Sequence, residues 1–111
     1  MDFGFYLPTR GSLGTPENIS SLARKGEDLG FSYLAIADHI VVPKSVSSTY
    51  PYTDGGDWPA GRDGDFLEQL SILAYLAGQT NSVRLLSSVM VLPHRPPVLT
   101  AKILATIDVL S

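Results

Sequence analysis

The chain has 111 residues, of which 44% are hydrophobic and 17% charged, with a formal net charge of −3. This composition excludes an intrinsically disordered chain and predicts one globular domain at most. The absence of cysteine excludes disulfides, thiolate metal sites and cysteine nucleophiles. The eight lysines and arginines are scattered, whereas nucleic-acid binding requires clustered positive charge.

The sequence carries no signal for secretion or for a membrane. Its start lacks a basic region followed by a long apolar stretch. No segment approaches the ~18 consecutive apolar residues that a membrane span needs. We therefore expect a cytoplasmic protein with no membrane partner, and the lack of cysteine is compatible with a reducing compartment.

The first predicted unit is a strand at residues 3–7 followed by a helix. Thr15 is typical of an N-cap, and Pro16 suits the first helical position. Gly30 suits the position that ends the helix. One buried face is predicted from the apolar residues at helical spacing, which are Ile19, Leu22, Ala23, Gly26 and Leu29.

The second predicted strand, residues 33–37, is a short apolar run that ends at Asp38 and His39. Such a run is typical of a strand buried on both faces of a parallel sheet. Residues 40–64 follow with no helical or strand period. A loop of this length is usually a lid or a binding loop, so the pair at the strand end suggests an active site.

The second predicted helix is preceded by residues 65–68, where Asp65 and Glu68 resemble a capping box. A helix is predicted over about 66–78, with its buried face formed by Leu67, Leu70, Leu73, Ala74 and Ala77. Residues 83–92 suit a third strand covered on both sides. Pro96 and Pro97 start a last helix, whose apolar stripe consists of Leu99, Ile103, Ile107 and Leu110.

The alternation of strands and helices predicts an α/β fold with a parallel sheet and right-handed crossovers. The pattern leaves two architectures open, a doubly wound sheet and the first part of a (β/α)8 barrel. Three parallel strands alone leave both sheet edges unpaired. We therefore interpret the 111 residues as a piece of a longer fold.

Several segments together resemble the opening of the luciferase-like monooxygenases, and more narrowly their branch that uses the deazaflavin coenzyme F420. The segments are DFGFYLP at 2–8, EDLGF at 27–31, ADH at 37–39, SVMVLPHRP at 88–96, AK at 101–102 and LATIDVLS at 104–111. The resemblance implies a (β/α)8 TIM barrel, of which residues 1–111 form about the first three βα units, truncated after the third helix.

The resemblance also implies a function. The protein is expected to transfer hydride between F420 and a small organic substrate, as a homodimer. FMN is the alternative coenzyme, because the FMN branch shares most of these segments. A different reading is a non-catalytic βα fragment that assembles through its open sheet edges. Because the phosphate site of such barrels usually follows strands seven and eight, residues 1–111 alone are expected to hold coenzyme weakly or not at all.

His39 is the leading catalytic candidate. The resemblance places it near the reactive face of the coenzyme, and an imidazole suits acid–base work near neutral pH. Its alternative role is to cap the strand end. Asp38 is expected to bind the coenzyme ring or to orient His39, and its alternative is a loop-capping aspartate.

Ser88 and Val89 match a family position that backs the coenzyme ring and often carries a non-proline cis peptide. The alternative there is an ordinary buried strand. Arg95 is a weaker candidate, for an acidic group of coenzyme or substrate. We favour the alternative that it belongs to a solvated turn before the third helix.

Three aromatic residues in the long loop, Tyr50, Tyr52 and Trp58, suit a substrate pocket. They suit equally well the anchoring of the loop on the barrel rim. No metal-ligand set is predicted, and the chain lacks the Gly-x-Gly-x-x-Gly motif of phosphate-binding loops.

Overall fold

A computed structural model describes residues 1–58 and 66–111 of the chain. Its elements alternate as the sequence predicts, and the three strands are parallel in the order β1-β2-β3. In chain order they are β1 (Gly4–Tyr6), α1 (Pro16–Asp28), β2 (Tyr33–Ile36), α2 (Gln69–Ala77), β3 (Arg84–Ser87) and α3 (Pro97–Leu110). Short 3-10 helices cover Gly11–Leu13 and Leu92–His94.

All three helices pack on one face of the sheet. The strand register pairs Phe5 with Leu34 and Leu34 with Leu85, so these side chains point to the same side. They join one core cluster to which each helix contributes, with Ile19 from α1, Leu76 from α2 and Ile107 from α3 among its members. Helices on a single face are the arrangement of a (β/α)8 barrel wall, whereas a doubly wound sheet carries helices on both faces.

The opposite face of the sheet is partly open, and we call it the open face; Tyr6, Tyr33, Ala35 and Leu86 lie on it, and of these only Ala35 is buried. Tyr6 is 61% exposed and Leu86 is 45% exposed. The predicted third strand is present, but it covers Arg84–Ser87 rather than residues 83–92. The prediction that it is covered on both sides is wrong, since Leu86 is exposed.

The ends of α1 follow the local sequence. The Thr15 hydroxyl oxygen accepts a hydrogen bond from the Asn18 amide (3.3 Å), which confirms the predicted N-cap. Gly30 has a φ of 82°, a left-handed conformation that glycine adopts without a steric penalty. The Phe31 amide donates to the Gly26 carbonyl (3.0 Å), and the Gly30 amide donates to Glu27 (2.9 Å), which is the Schellman pattern.

The start of α2 differs from the prediction. Glu68 is the N-cap, and its carboxylate accepts from the amides of Leu70 (3.1 Å) and Ser71 (2.7 Å). The proposed partner in the capping box, Asp65, lies outside the described residues. Upstream of the cap, the Leu67 amide donates to the Thr9 carbonyl (3.0 Å). The chain is thus tied to the loop after β1 at the place where the helix was expected to begin.

The predicted helical stripes are correct only in part. Buried as predicted are Ile19, Ala23, Gly26, Leu70, Leu73, Ala77 and Ile107. Leu22 and Ile103 are half-buried. Exposed instead are Leu29, Leu67, Ala74, Leu99 and Leu110. In α2, Ile72 and Leu76 are buried in their place, because the helix lies between the sheet and two flanking helices rather than against one surface.

Candidate active site

The carboxyl ends of the three strands meet at one edge of the sheet. The Leu7 amide donates to the Ala35 carbonyl (3.0 Å), and the Ser88 amide donates to the Ile36 carbonyl (2.9 Å). The loop after each strand therefore starts at this edge. Asp38 follows β2, and the Ser88–Val89 segment follows β3. This common edge is where enzymes with parallel barrels place their sites.

His39 lies in an aromatic cluster made with Trp58 and Phe66. Its ring centroid is 4.3 Å from that of Phe66 and 6.0 Å from that of Trp58. The Trp58 and Phe66 rings are nearly parallel, 8° apart in orientation and 6.3 Å between centroids. His39 remains half-buried. The structure thus brings Trp58, a predicted pocket residue, to His39, and adds Phe66, which the sequence analysis did not single out.

The other two loop aromatics pack against each other. Tyr50 and Tyr52 meet edge to face with centroids 5.4 Å apart. Tyr52 is 83% exposed. A backbone turn holds this part of the loop, with the Tyr50 amide donating to the Gly56 carbonyl (2.7 Å). Their role in a substrate pocket stays a prediction.

Asp38 is bound by its own chain. Its carboxylate accepts two hydrogen bonds from the Arg95 guanidinium (2.6 and 2.9 Å) and one from the Val91 amide (2.8 Å). The side chain is 1% exposed. The Arg95 hydrogen bond and, in smaller part, the Val91 amide hold the Asp38 pKa below its ordinary value against the opposing effect of burial. The expectation that Asp38 contacts the coenzyme or orients His39 does not fit this arrangement, because its oxygens are committed to Arg95 and Val91.

Arg95 also departs from its expected surroundings. Besides Asp38, its guanidinium binds the Glu68 carboxylate (2.8 Å), and its side chain is 7% exposed. A solvated turn, the alternative favoured from the sequence, is therefore wrong for this side chain. Its hydrogen bonds to Asp38 raise the Arg95 pKa. Since its charge is balanced inside the protein, direct recognition of an acidic ligand group by Arg95 has no support here.

The peptide bond between Ser88 and Val89 is cis, as the family resemblance implies. The Tyr6 hydroxyl, on the open face, hydrogen-bonds the Ser88 hydroxyl and also donates to the Ser88 carbonyl (3.4 Å). Val89 is 75% exposed. The sequence analysis missed Tyr6. The available signal was its position between Phe5 and Leu7, which turns its side chain to the opposite face of the strand.

Gln69 is a second residue that the sequence analysis missed. It is fully buried at the first position of α2, and its side-chain amide donates to the Ile36 carbonyl (2.8 Å). It thereby ties α2 to the end of β2, one residue before the loop that carries Asp38 and His39.

Neither a metal-binding cluster nor a membrane helix is found in residues 1–58 and 66–111. No group of three or more histidine, aspartate or glutamate side chains there is placed to hold a metal ion. No helix of that part of the chain is long and apolar enough to cross a membrane.

Comparison of the sequence with known proteins identifies the family of this chain. The chain matches the model of the luciferase-like monooxygenases over residues 1–111. It is 35% identical over 101 residues to uncharacterised proteins of Mycobacterium bovis and of two Mycobacterium tuberculosis strains, covering 91% of this chain. The chain spans 31% of the length of these relatives. With parallel strands, helices on one face and the family match along its whole length, the chain belongs to the luciferase-like monooxygenase family.

Proposed function

We propose that the protein is an F420-dependent oxidoreductase, in which hydride passes between C5 of the deazaflavin and a small organic substrate. The observation that carries the proposal is the position of His39. In a chain of this family, it lies half-buried at the carboxyl edge of β2, at the same sheet edge as the cis Ser88–Val89 peptide. An imidazole at that address is suited to proton exchange with a substrate beside a redox ring.

The residues at this edge fit a planar, largely apolar ring. The open face offers Tyr6 and Leu86, and Val89 next to it is mostly exposed. Surfaces of this kind, with a few placed polar groups, are typical of cofactor sites. Ser88 and Val89 would back the ring. When bound, the deazaflavin supplies the hydride chemistry, and the protein supplies orientation and proton management.

Asp38 and His39, the two adjacent residues after β2, are expected to divide their tasks. Asp38 is a carboxylate held in that form by Arg95, with its pKa below the ordinary value. It is therefore unsuited to exchange a proton near neutral pH. His39 remains for that step, and its ring is restricted by Phe66 and Trp58. A substrate hydroxyl hydrogen-bonded to the imidazole would lose or gain its proton there as hydride moves at the adjacent carbon.

FMN-dependent monooxygenation is the second candidate, because the matched family is described as monooxygenases and the resemblance extends to its FMN branch. The residues after β2 and β3 suit either coenzyme, since both present a planar tricyclic ring. The two candidates differ in the ligand that the protein binds.

The test is a titration of the protein as its gene encodes it with F420 and, separately, with FMN, followed by absorbance and fluorescence. We expect saturable spectral changes with F420 and none with FMN at comparable concentrations. Saturation by FMN alone would establish the second candidate. Binding of neither coenzyme would remove the proposal and leave the non-catalytic fragment as the better account.

A further inference from the structure

Arg95 joins both ends of the β2–α2 loop to the loop between β3 and α3, and we call the three residues Asp38, Glu68 and Arg95 the Arg95 clamp. Asp38 belongs to the loop after β2, Glu68 caps α2, and Arg95 lies between β3 and α3. The N–O distances from Arg95 are 2.6 Å to Asp38 and 2.8 Å to Glu68. Paired hydrogen bonds between one guanidinium and one carboxylate fix relative orientation as well as distance.

The central pair of the clamp, Arg95 and Asp38, is buried, so its geometry restricts the loops that carry it. The side chains of Arg95 and Asp38 are 7% and 1% exposed. A charge buried to this degree is stable only with its partner in place. If Arg95 moved to solvent, Asp38 would lose its ion-pair partner, and if Asp38 moved, Arg95 would keep only Glu68. We therefore expect the two loops that carry them to move together.

The segment that the clamp holds is the one with the cis peptide. At its start, the Ser88 amide is bonded to the Ile36 carbonyl (2.9 Å). At its end, the Val91 amide donates to the same Asp38 oxygen that Arg95 binds (2.8 Å). Residues 88–91 are thus anchored at one end to the last residue of β2 and at the other end to Asp38 in the loop after it, and this second anchor depends on Arg95.

We propose that Arg95 is a positioning residue of the coenzyme site: by holding Asp38, it fixes the Ser88–Val91 segment relative to His39. This inference rests on the proposed function for the identity of the ligand. It assigns Arg95 no contact with coenzyme or substrate. His39 on one loop and Val89 on the other would bound the coenzyme ring, and the clamp sets the spacing of those loops.

The test compares Arg95→Lys with Arg24→Lys in the protein as its gene encodes it. Lysine keeps the positive charge but loses the two-point hydrogen bond to Asp38. Arg24 is an exposed arginine on α1 that hydrogen-bonds Gln79, so the control makes the same chemical change away from the site. Three quantities are measured: the Kd for F420 by fluorescence, the thermal midpoint, and amide hydrogen exchange of residues 88–92.

We expect Arg95→Lys to raise the Kd for F420 about tenfold, by analogy with the supporting partners of metal ligands, whose loss costs about 10- to 100-fold in affinity. Exchange at the Val91 amide is expected to accelerate, with Arg24→Lys matching the wild type in both. An unchanged Kd alongside a lowered thermal midpoint would overturn the inference, because it would make the clamp only a stabilising contact.

Hydrogen exchange separates this inference from the proposed function. If the wild type binds neither F420 nor FMN, the proposed function fails. The hydrogen exchange of the unliganded variants still tests whether Arg95 holds residues 88–91 in place. Faster exchange confined to residues 88–92 in Arg95→Lys supports it. Exchange identical to that of the wild type overturns it.

Discussion

At the scale of single residues, two adjacent side chains have different tasks: Asp38 carries a structural charge, and His39 is proposed to exchange a proton. Asp38 is committed to Arg95 and Val91, whereas His39 is bounded by aromatic rings. An aromatic wall restricts the orientation of an imidazole without occupying its nitrogens. The chemistry proposed here therefore depends on His39 and leaves Asp38 as a structural anion.

We predict that His39→Gln lowers kcat by about 10²- to 10⁴-fold, the usual contribution of a general acid or base. The Kd for F420 is expected to change little, because glutamine preserves much of the bulk and polarity. The matched control is His94→Gln, at the exposed second histidine, which is expected to keep wild-type turnover. Steady-state kinetics and fluorescence titration make the comparison. Equal turnover of both variants would contradict the role of His39.

At the scale of elements, one carboxylate holds the end of the sheet where the strands begin, which lies opposite the candidate site. Glu27, near the end of α1, accepts hydrogen bonds from the amides of Asn81 (2.8 Å), Val83 (3.0 Å) and Ser82, and from the Ser82 hydroxyl (2.9 Å). These groups form the turn that enters β3. At the amino end of barrel strands, such contacts serve stability rather than catalysis. The sequence analysis used Glu27 only as part of the family resemblance.

The Glu27 anchor predicts a pH-dependent stability. Burial raises its pKa, but the amides of Ser82, Asn81 and Val83 outweigh that effect and lower the pKa to about 2 from 4.5. Because the folded value is below the unfolded one, the stabilisation is complete above pH 4.5 and is lost as the pH falls towards 2.

Glu27→Gln is therefore expected to reduce the free energy of unfolding by about 1 kcal/mol at neutral pH, after allowing for solvent screening. The difference from the wild type should shrink as the pH falls from 4.5 to 2. Denaturant titrations at several pH values measure both effects. Glu17→Gln, at an exposed position of α1, serves as the control. A difference that stays constant with pH would contradict the anchor.

At the scale of the whole molecule, the sheet has one covered and one open face. The helices cover Phe5, Leu34 and Leu85, whereas Tyr6 and Leu86 remain exposed. In a closed barrel, this open face would line the interior. The relatives are about three times as long as this chain. We propose a barrel of which residues 1–111 form the first three βα units. We also propose that this barrel forms a homodimer.

The open face leads to a prediction for residues 1–111 produced alone. We expect them to associate, because exposed apolar surface and unpaired strand edges favour self-assembly. Leu86→Lys should shift the population towards the 11.9 kDa monomer, whereas Leu29→Lys, at an exposed leucine outside the sheet, should not. Size exclusion with light scattering measures the masses. A folded wild-type monomer would contradict this expectation. It would also contradict the hypothesis of a non-catalytic βα fragment that assembles through its open sheet edges.

Features that depend on neighbours along the chain could be predicted from the amino-acid sequence. The β-α-β-α-β-α order, both ends of α1 and the location of Asp38 and His39 at a strand end all follow from hydrophobic period and capping, which act over a few residues. The family resemblance indicated Ser88–Val89 as a position that often carries a cis peptide, and the structure shows that the bond is cis.

Contacts between residues far apart in sequence appear only in the folded chain. Arg95 and Asp38 are 57 positions apart, and no local pattern connects them. The same holds for the face on which the helices pack, and for the bond from Leu67 to Thr9 just before α2. Burial and charge pairing at this site are properties of converging loops, so they arise only once the strands have brought those loops together.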